Sequence, residues 1–170
     1  TMTVSLGNIF RYKGFTLNAF ITYSFGNVIR LDPVFHNVYS DLDAMPREFI
    51  NRWTTGGDEK VTNVPVIADK RANQQDPYLS YAYNAYNYST ERIAKGDFIR
   101  MKELSLSYNF PKKMISRLKV NDLSLKIQAT NLFLIYSDKK LNGQDPEFFN
   151  TGGVASPVPR QFTLTLRLGI

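Results

Sequence analysis

The sequence predicts an all-β fold of antiparallel strands, and three observations support this prediction. Apolar and polar residues alternate in several stretches, as from Phe15 to Phe25, where every odd position is apolar. A period of two is typical of a strand with one apolar and one polar face. Short and long connections alternate along the chain, and aromatic residues lie near the ends of the alternating stretches. We therefore expect a half-buried antiparallel sheet.

Five strands are predicted. Asn8 interrupts the alternation of the first strand, and Lys13-Gly14 joins this strand to the second by a tight hairpin. The third, fourth and fifth strands carry apolar residues at every second position from Leu104, Leu123 and Phe162 onwards. The predicted strands cover residues 4–12, 15–25, 98–110, 123–134 and 162–170.

The connections predict that these strands cross a membrane. Residues 26–97 and 135–159 form two long loops, whereas Lys13-Gly14 and residues 111–122 form short turns. This order is typical of outer-membrane barrels, which have short periplasmic turns and long extracellular loops. The strand lengths match the roughly 9–11 residues that span the hydrocarbon layer. Membrane barrels of this kind have at least about eight strands, so these five belong to a larger barrel.

The aromatic residues at the strand ends agree with the barrel interpretation. They are expected in two girdles, one at each membrane interface. The inner girdle contains Phe15, Tyr108 and Phe110, and the outer girdle contains Tyr23 and Phe25.

Composition excludes several classes of function. The chain of 170 residues has no cysteine and one histidine, His36, which excludes disulfide scaffolds, cysteine nucleophiles and histidine-rich metal centres. The net charge is +6, but the basic residues are scattered and no recognition helix accompanies them. We therefore expect no nucleic-acid partner.

Five motifs in order resemble the SusC/RagA-like family of TonB-dependent outer-membrane transporters, which occurs in Bacteroidota. The longest is a signature strand, and the others resemble two loop motifs, the penultimate strand and the last strand. In chain order they are Arg52-Trp53-Thr54 followed by Val64-Pro65, residues 96–111 (GDFIRMKELSLSYNFP), Ala129-Thr130-Asn131-Leu132-Phe133, Asp145-Pro146-Glu147, and Pro159-Arg160-Gln161-Phe162-Thr163-Leu164.

The resemblance covers nearly all of residues 1–170 and implies about five C-terminal strands of a 22-stranded barrel. It implies uptake of an oligosaccharide, or of a peptide, into the cell across the outer membrane. A SusD-like surface lipoprotein would serve as a lid, and the TonB complex would supply energy. The plug domain and the segment that contacts TonB are expected to lie outside these residues. No enzyme activity and no cofactor are implied.

The candidate residues for substrate or lid contact are aromatic. Tyr78, Tyr81, Tyr83, Tyr86 and Tyr88 crowd into eleven residues of the first long loop, close to Asn84 and Asn87. Planar aromatic rings beside amides suit the C–H faces and hydroxyls of sugars, but tyrosines also pack loops and protein interfaces. Trp53 is a further candidate. Its helical spacing from Phe49 and Ile50 favours a packing role.

The acidic residues of the second long loop allow two other interpretations. Asp145 and Glu147 could form the carboxylate pair of a glycosidase, although turns rich in Asn, Gly, Asp and Pro select these residues for conformation alone. Asp138 together with Asp145 and Glu147 could bind calcium, but their spacing does not match an EF-hand. We expect neither a catalytic residue nor a metal site.

The polar strand faces distinguish a membrane barrel from a soluble protein. Glu103, Lys126, Gln128 and Arg167 are expected to point to the interior of a barrel. The alternative is a stand-alone soluble β-domain that binds glycan through the tyrosine-rich loop, with its apolar stripes facing one another across a closed core.

Overall fold

A computed structural model of the chain describes residues 1–36, 45–118, 120–149 and 159–170. The strands are β1 (Met2–Tyr12), β2 (Phe15–Phe25), β3 (Val28–Arg30), β4 (Ile93–Lys95), β5 (Phe98–Asn109), β6 (Asp122–Ser137) and β7 (Gln161–Gly169). The helices are α1 (Lys70–Gln75), α2 (Leu79–Asn87) and α3 (Lys112–Ile115), with 3₁₀ turns at Arg47–Asn51, Asp58–Lys60, Thr90–Arg92, Ser116–Leu118 and Lys139–Leu141. Within the described ranges, no helix has the length and hydropathy needed to cross a bilayer.

The chain divides into two compact units. The sheet unit comprises residues 1–27, 96–138 and 145–170, and the loop unit comprises residues 28–95 and 139–144. The sheet unit contains one sheet with the strand order β1-β2-β5-β6-β7. Each neighbouring pair is antiparallel. The predicted antiparallel all-β fold is thereby confirmed.

The hairpin between β1 and β2 has the predicted tight turn. Lys13 and Gly14 both have positive φ angles, of 44° and 88°. Two positive φ angles match the right-handed twist of the flanking strands. A Cβ on Gly14 would lie 2.9 Å from the carbonyl oxygen of Asn109 at the end of β5, so this position requires glycine for space as well as for conformation.

The register aligns like residues in rows across the sheet. One face carries an apolar row of five residues, one from each strand, and neighbouring rows on that face are also largely apolar. The opposite face carries a parallel polar row. The apolar row is Phe10, Leu17, Leu106, Ile127 and Leu164, and the polar row is Arg11, Thr16, Ser107, Lys126 and Thr165.

A bulge in β5 preserves the two faces where the sequence pattern changes parity. Met101 pairs with Ile21 and Leu104 pairs with Ala19, which leaves one extra residue in β5. Both Lys102 and Glu103 therefore leave the apolar stripe. Opposite the bulge, Asn131 of β6 has a φ of 53°, a left-handed conformation that asparagine tolerates better than most residues.

β6 is longer than the sequence pattern predicted. It has 16 residues and ends at Ser137, whereas the second long loop was expected to begin at residue 135. Of the added residues, Tyr136 and Ser137 pair with the start of β5, beyond a second irregularity. The bulges interrupt the simple alternation, which explains the early boundary. Residues 150–158 of this loop lie outside the described ranges.

The first long loop is folded. β3 pairs with β4 so that Val28 lies opposite Lys95 and Arg30 opposite Ile93. The buried apolar residues of the loop unit are Ile29, Leu31, Val34, Phe35, Ala94 and Leu141. The sequence pattern predicts neither of these three-residue strands, because three residues are too few to show a period. Residues 37–44 of this loop lie outside the described ranges.

Candidate functional site

Helix α2 divides the tyrosine-rich segment into two groups. Tyr83 and Tyr86 are one helical turn apart and half-buried, whereas Tyr78, Tyr81 and Tyr88 are 72%, 71% and 67% exposed. The sequence pattern predicted no helix here, so it did not distinguish the five tyrosines from one another. The sequence signal for a helix was the spacing of three residues within the pairs 78/81 and 83/86, because residues three apart are neighbours on a helix surface.

The half-buried tyrosines pack the loop unit. The hydroxyl of Tyr83 accepts a hydrogen bond from the Ala68 amide at 2.7 Å and donates one to the Val66 carbonyl at 2.9 Å. Its ring is stacked on Phe35, with the ring centroids 4.5 Å apart. Tyr86 contacts the same phenylalanine edge to face at 5.6 Å. Tyr83 and Tyr86 therefore pack the loop, which was the alternative to sugar contact in the sequence analysis.

An ion pair beneath Tyr86 holds the core of the loop unit. Arg92 is 2% exposed and forms an ion pair with Glu48 at 2.6 Å. The Arg92 guanidinium also donates to the carbonyl of Asp32 and lies 5.9 Å from the centroid of the Tyr86 ring. Burial raises the pKa of the Tyr86 phenol, against the opposing effect of Arg92. Tyr86 therefore remains neutral at physiological pH.

Trp53 also has a structural role. Its indole Nε1 donates to the carbonyl of Thr62 at 2.7 Å, and its backbone amide donates to the carbonyl of Val64 at 3.0 Å. The side chain is half-buried. These bonds hold together the two parts of the RWT and VP motif, as the packing interpretation predicted.

The turn after Trp53 is closed by a carboxylate. Asp58 accepts hydrogen bonds from the backbone amides of Thr54 and Thr55, at 2.8 and 2.9 Å, and from both threonine hydroxyls. The backbone bonds are the largest cause that lowers the pKa of Asp58 from 3.8 to about 2. Asp58 is half-buried in this turn, which its carboxylate organises.

A cavity of about 700 Å³ opens beside α2 within the loop unit. Tyr83 and Tyr88 line it, together with polar residues that the sequence analysis did not single out for binding. Its walls come from three separate segments of the chain, so no local pattern could have revealed it. The lining residues are Pro33, Phe35, His36, Ile67, Ala68, Asn73, Asp76, Pro77, Ser80, Tyr83, Asn84, Asn87 and Tyr88.

Asn87 fixes one wall of this cavity. Its Oδ1 accepts hydrogen bonds from the amides of Val34 and Phe35 at 3.1 and 3.3 Å, and its Nδ2 donates to the Phe35 carbonyl at 2.8 Å. The side-chain amide of Asn87, which the sequence suggested for sugar binding, therefore forms its hydrogen bonds with the backbone instead. Asn84 remains exposed on the same helix and lines the cavity.

The acidic residues of the second long loop are paired with basic residues of β5. Arg100 forms an ion pair with Asp145, and its Nε lies 3.0 Å from Glu147. Lys102 donates to both carboxylate oxygens of Glu147, at 2.9 and 3.0 Å. Both carboxylates are therefore paired with basic side chains of β5. These pairs favour a structural role for Asp145 and Glu147 over the glycosidase and calcium interpretations. In the part of the chain that the structure describes, no cluster of potential ligands could hold a metal ion.

The polar face of the sheet carries the residues that the sequence assigned to a barrel interior. Glu103 lies opposite Phe20 and Thr130, and Gln128 lies opposite Ser105 and Thr163. Lys126 and Arg167 belong to the same face by register. Alternation thus brings these polar side chains together on one surface.

The sequence matches no protein-family model. It is 29% identical over 163 residues to TonB-dependent receptor P39 of Formosa agariphila, a match that covers 88% of this chain and 13% of that protein. It is 26% identical over 145 residues to TonB-dependent receptor P3 of the same organism, covering 85% of this chain and 12% of that protein. The chain therefore spans about an eighth of the length of these curated relatives.

Solved structures show the same fold. The structure of the RagAB peptide transporter matches with a TM-score of 0.63 and 23% identity, covering 96% of this chain and 16% of that chain. The RagAB peptide importer in the open-open state also matches with a TM-score of 0.63, at 21% identity, covering 99% of this chain and 17% of that chain. These relatives and neighbours are receptors and transporters, not enzymes. The chain is therefore similar to TonB-dependent receptors, and its five-stranded sheet has the fold of the matching part of the RagAB structures.

Proposed function

We propose that this chain is a C-terminal segment of the barrel wall of an outer-membrane importer that takes up oligosaccharides or peptides with energy from TonB. The single observation that supports this most strongly is the exposed apolar face of the sheet. Leu106, Ile127 and Leu164 of the apolar row are 44%, 52% and 69% exposed. A soluble protein rarely leaves a continuous apolar surface of this extent open to water, whereas a barrel presents it to lipid.

The height of the apolar face fits a bilayer. The ten steps from Phe15 to Phe25 cover about 33 Å along β2, which a strand tilt of about 40° reduces to about 25 Å, the height of the apolar band in outer-membrane barrels. Aromatic pairs lie at both ends of this strand. Phe15 contacts Tyr108 at 4.4 Å between ring centroids, and Tyr23 is stacked on Phe25 at 4.9 Å.

The polar face would then line the barrel interior. There, its hydroxyl, amide and charged groups would contact a plug domain and part of the solute route. The short turns at Lys13-Gly14 and residues 111–121 leave one end of the sheet, and both long connections leave the other end. This arrangement supports an extracellular position for both long loops.

Cargo and lid belong to the same proposal. The solved neighbours are a peptide transporter and a peptide importer, so a peptide is one candidate cargo and an oligosaccharide is the other. Tyr78 and Tyr81 are the most exposed tyrosines of the tyrosine-rich segment, with ring centroids 6.3 Å apart. We assign them to contact with a SusD-like surface lipoprotein.

The test compares arginine on the two faces of β6 in the full-length protein. Ile127→Arg places a charge on the proposed lipid face, where it should cost roughly 2–4 kcal/mol of unfolding free energy near the bilayer midplane. Gln128→Arg is the matched control, since the adjacent residue belongs to the polar face. Unfolding in lipid vesicles and the yield of folded barrel in outer membranes measure the difference.

The outcome decides between a membrane barrel and the soluble alternative. A large loss for Ile127→Arg together with a small one for Gln128→Arg supports the proposal. Equal tolerance of both changes, or recovery of the native protein in the soluble fraction, would overturn it and favour a free-standing glycan-binding domain.

A further inference from the structure

The cavity beside α2 has walls that are fixed before any ligand binds. Tyr83 is bonded to both Val66 and Ala68, and Asn87 is bonded to three backbone groups of Val34 and Phe35. Phe35 is 6% exposed and stacked on Tyr83. A preformed site loses little conformational entropy on binding. The volume of about 700 Å³ falls in the range of about 300–1,000 Å³ that is usual for small-ligand sites.

The charge of the lining limits the class of ligand. Among the described residues that line the cavity, Asp76 is the acidic one, and neither lysine nor arginine is present. Asp76 Oδ1 accepts from the Tyr78 amide at 2.8 Å, so its second oxygen can accept from a ligand hydroxyl. A phosphate, sulfate or carboxylate would meet this carboxylate without a compensating cation. Anionic ligands are therefore disfavoured.

Neutral groups that form hydrogen bonds complete the lining. Asn84 and Ser80 are exposed, and an amide both donates and accepts, which suits vicinal hydroxyls. The ring of Tyr88 is 67% exposed, and the Arg30 guanidinium lies 5.6 Å from its centroid. Because this ring already has a cation beside it, it suits the C–H face of a neutral ring better than a second cation.

From these contacts we infer that the cavity binds one or two neutral sugar residues of an oligosaccharide, with Asp76, Ser80 and Asn84 bonding to hydroxyls and Tyr88 stacking on a pyranose ring. This inference rests on the proposed function and names the cargo class for the importer. It also separates the tyrosines by role. Tyr88 contacts cargo, Tyr83 shapes the wall, and Tyr81 lies outside the lining.

The test uses purified full-length protein in detergent and calorimetric titration. The probes are neutral glucose and mannose oligosaccharides of three to six residues, an oligogalacturonate as the anionic control, and lysine-containing and neutral tripeptides. We expect binding of at least one neutral oligosaccharide. Tyr88→Ala and Asn84→Ala should each weaken that binding about tenfold, as expected for residues at the centre of a binding site.

Val61→Ala is the control, since Val61 lies in the same loop unit, is 88% exposed and does not line the cavity. It should change the affinity by less than about twofold. The inference is overturned if only the anionic oligosaccharide or the peptides bind, if no neutral probe binds, or if Tyr88→Ala and Val61→Ala behave alike.

A separate measurement distinguishes failure of the site from failure of the function. TonB-dependent uptake of the probes by cells that carry each variant reports on the importer as a whole. If uptake occurs and does not respond to Tyr88→Ala, the cavity is not the cargo site although the importer function holds. If there is no uptake and the protein is absent from the outer membrane, the proposed function fails and the inference fails with it.

Discussion

The ion pair between Arg100 and Asp145 should be a major stabilising contact of the second long loop, and replacing Arg100 with methionine tests this. The side chain of Arg100 is 5% exposed and that of Asp145 is 10% exposed. Methionine would fill much of the space of the arginine but leave the Asp145 carboxylate buried without its partner. Removal of one member of a buried pair typically costs about 3–5 kcal/mol.

The neighbouring pair provides the scale for comparison. Lys102 and Glu147 are 28% and 33% exposed, so water screens their interaction. Lys102→Met should therefore cost only about 0.2–1 kcal/mol. The double variant Arg100→Met with Asp145→Leu removes both buried charges, and it should be more stable than Arg100→Met alone because no buried charge is left unpaired.

The assay is urea-induced unfolding of the full-length protein in lipid vesicles, combined with limited proteolysis of the loop segment 145–149. Local detachment of the loop would appear as faster cleavage, and global destabilisation would appear as a lower unfolding free energy. If Arg100→Met and Lys102→Met cost the same, or if the double variant is less stable than Arg100→Met, the reasoning from burial is refuted.

Two further predictions concern local backbone conformation, at the bulge in the sheet and at the turn after Trp53. Replacement of Asn131, whose φ is 53°, by alanine should cost about 1 kcal/mol of unfolding free energy because alanine lacks the short polar side chain that lets asparagine adopt the left-handed conformation; Asn131→Gly should cost less, and equal costs would contradict the conformational explanation. Asp58 has its pKa lowered from 3.8 to about 2, so its contribution to the turn is complete above the unfolded pKa and should be lost as the pH falls from about 4 to about 2. The measurement is hydrogen exchange at the Thr54 and Thr55 amides, corrected for its intrinsic pH dependence. As the pH falls over this interval, exchange should accelerate in the native protein and stay constant in Asp58→Asn. A constant rate in both proteins would show that the carboxylate does not hold the turn.

Much of the sheet could be predicted because a strand with one lipid-facing side repeats its chemistry every two residues. β2 begins and ends where the alternation from Phe15 to Phe25 placed it. The bulge was also visible, since apolar residues stand at 99 and 101 and then at 104 and 106. A change of parity inside one strand is the sequence signal of an added residue. β6 was predicted too short because two irregularities hide its last residues.

The sites were harder to predict because they depend on contacts between distant segments. Arg100 and Asp145 are 45 positions apart, and Asn87 bonds to a segment more than 50 positions before it. No local period reports such contacts. The tyrosine-rich segment was recognised by composition, but only the helix separates Tyr83 and Tyr86, which pack inward, from the exposed Tyr78, Tyr81 and Tyr88.

The pairing of β3 with β4 bears on how the barrel assembles. Closing a flexible loop of about 70 residues costs roughly 3 kcal/mol more entropy than closing a two-residue hairpin, so the β2 to β5 pairing would be slow if the loop remained a coil. Because Val28 pairs with Lys95, the loop brings its own two ends together. The Gly26 amide then donates to Asp97 and the Gly96 amide to the Asn27 carbonyl, both at 2.8 Å. If the loop unit folds before β2 and β5 pair, it connects these two strands as a hairpin turn does. The length of the loop can then change between relatives without slowing the pairing of β2 with β5.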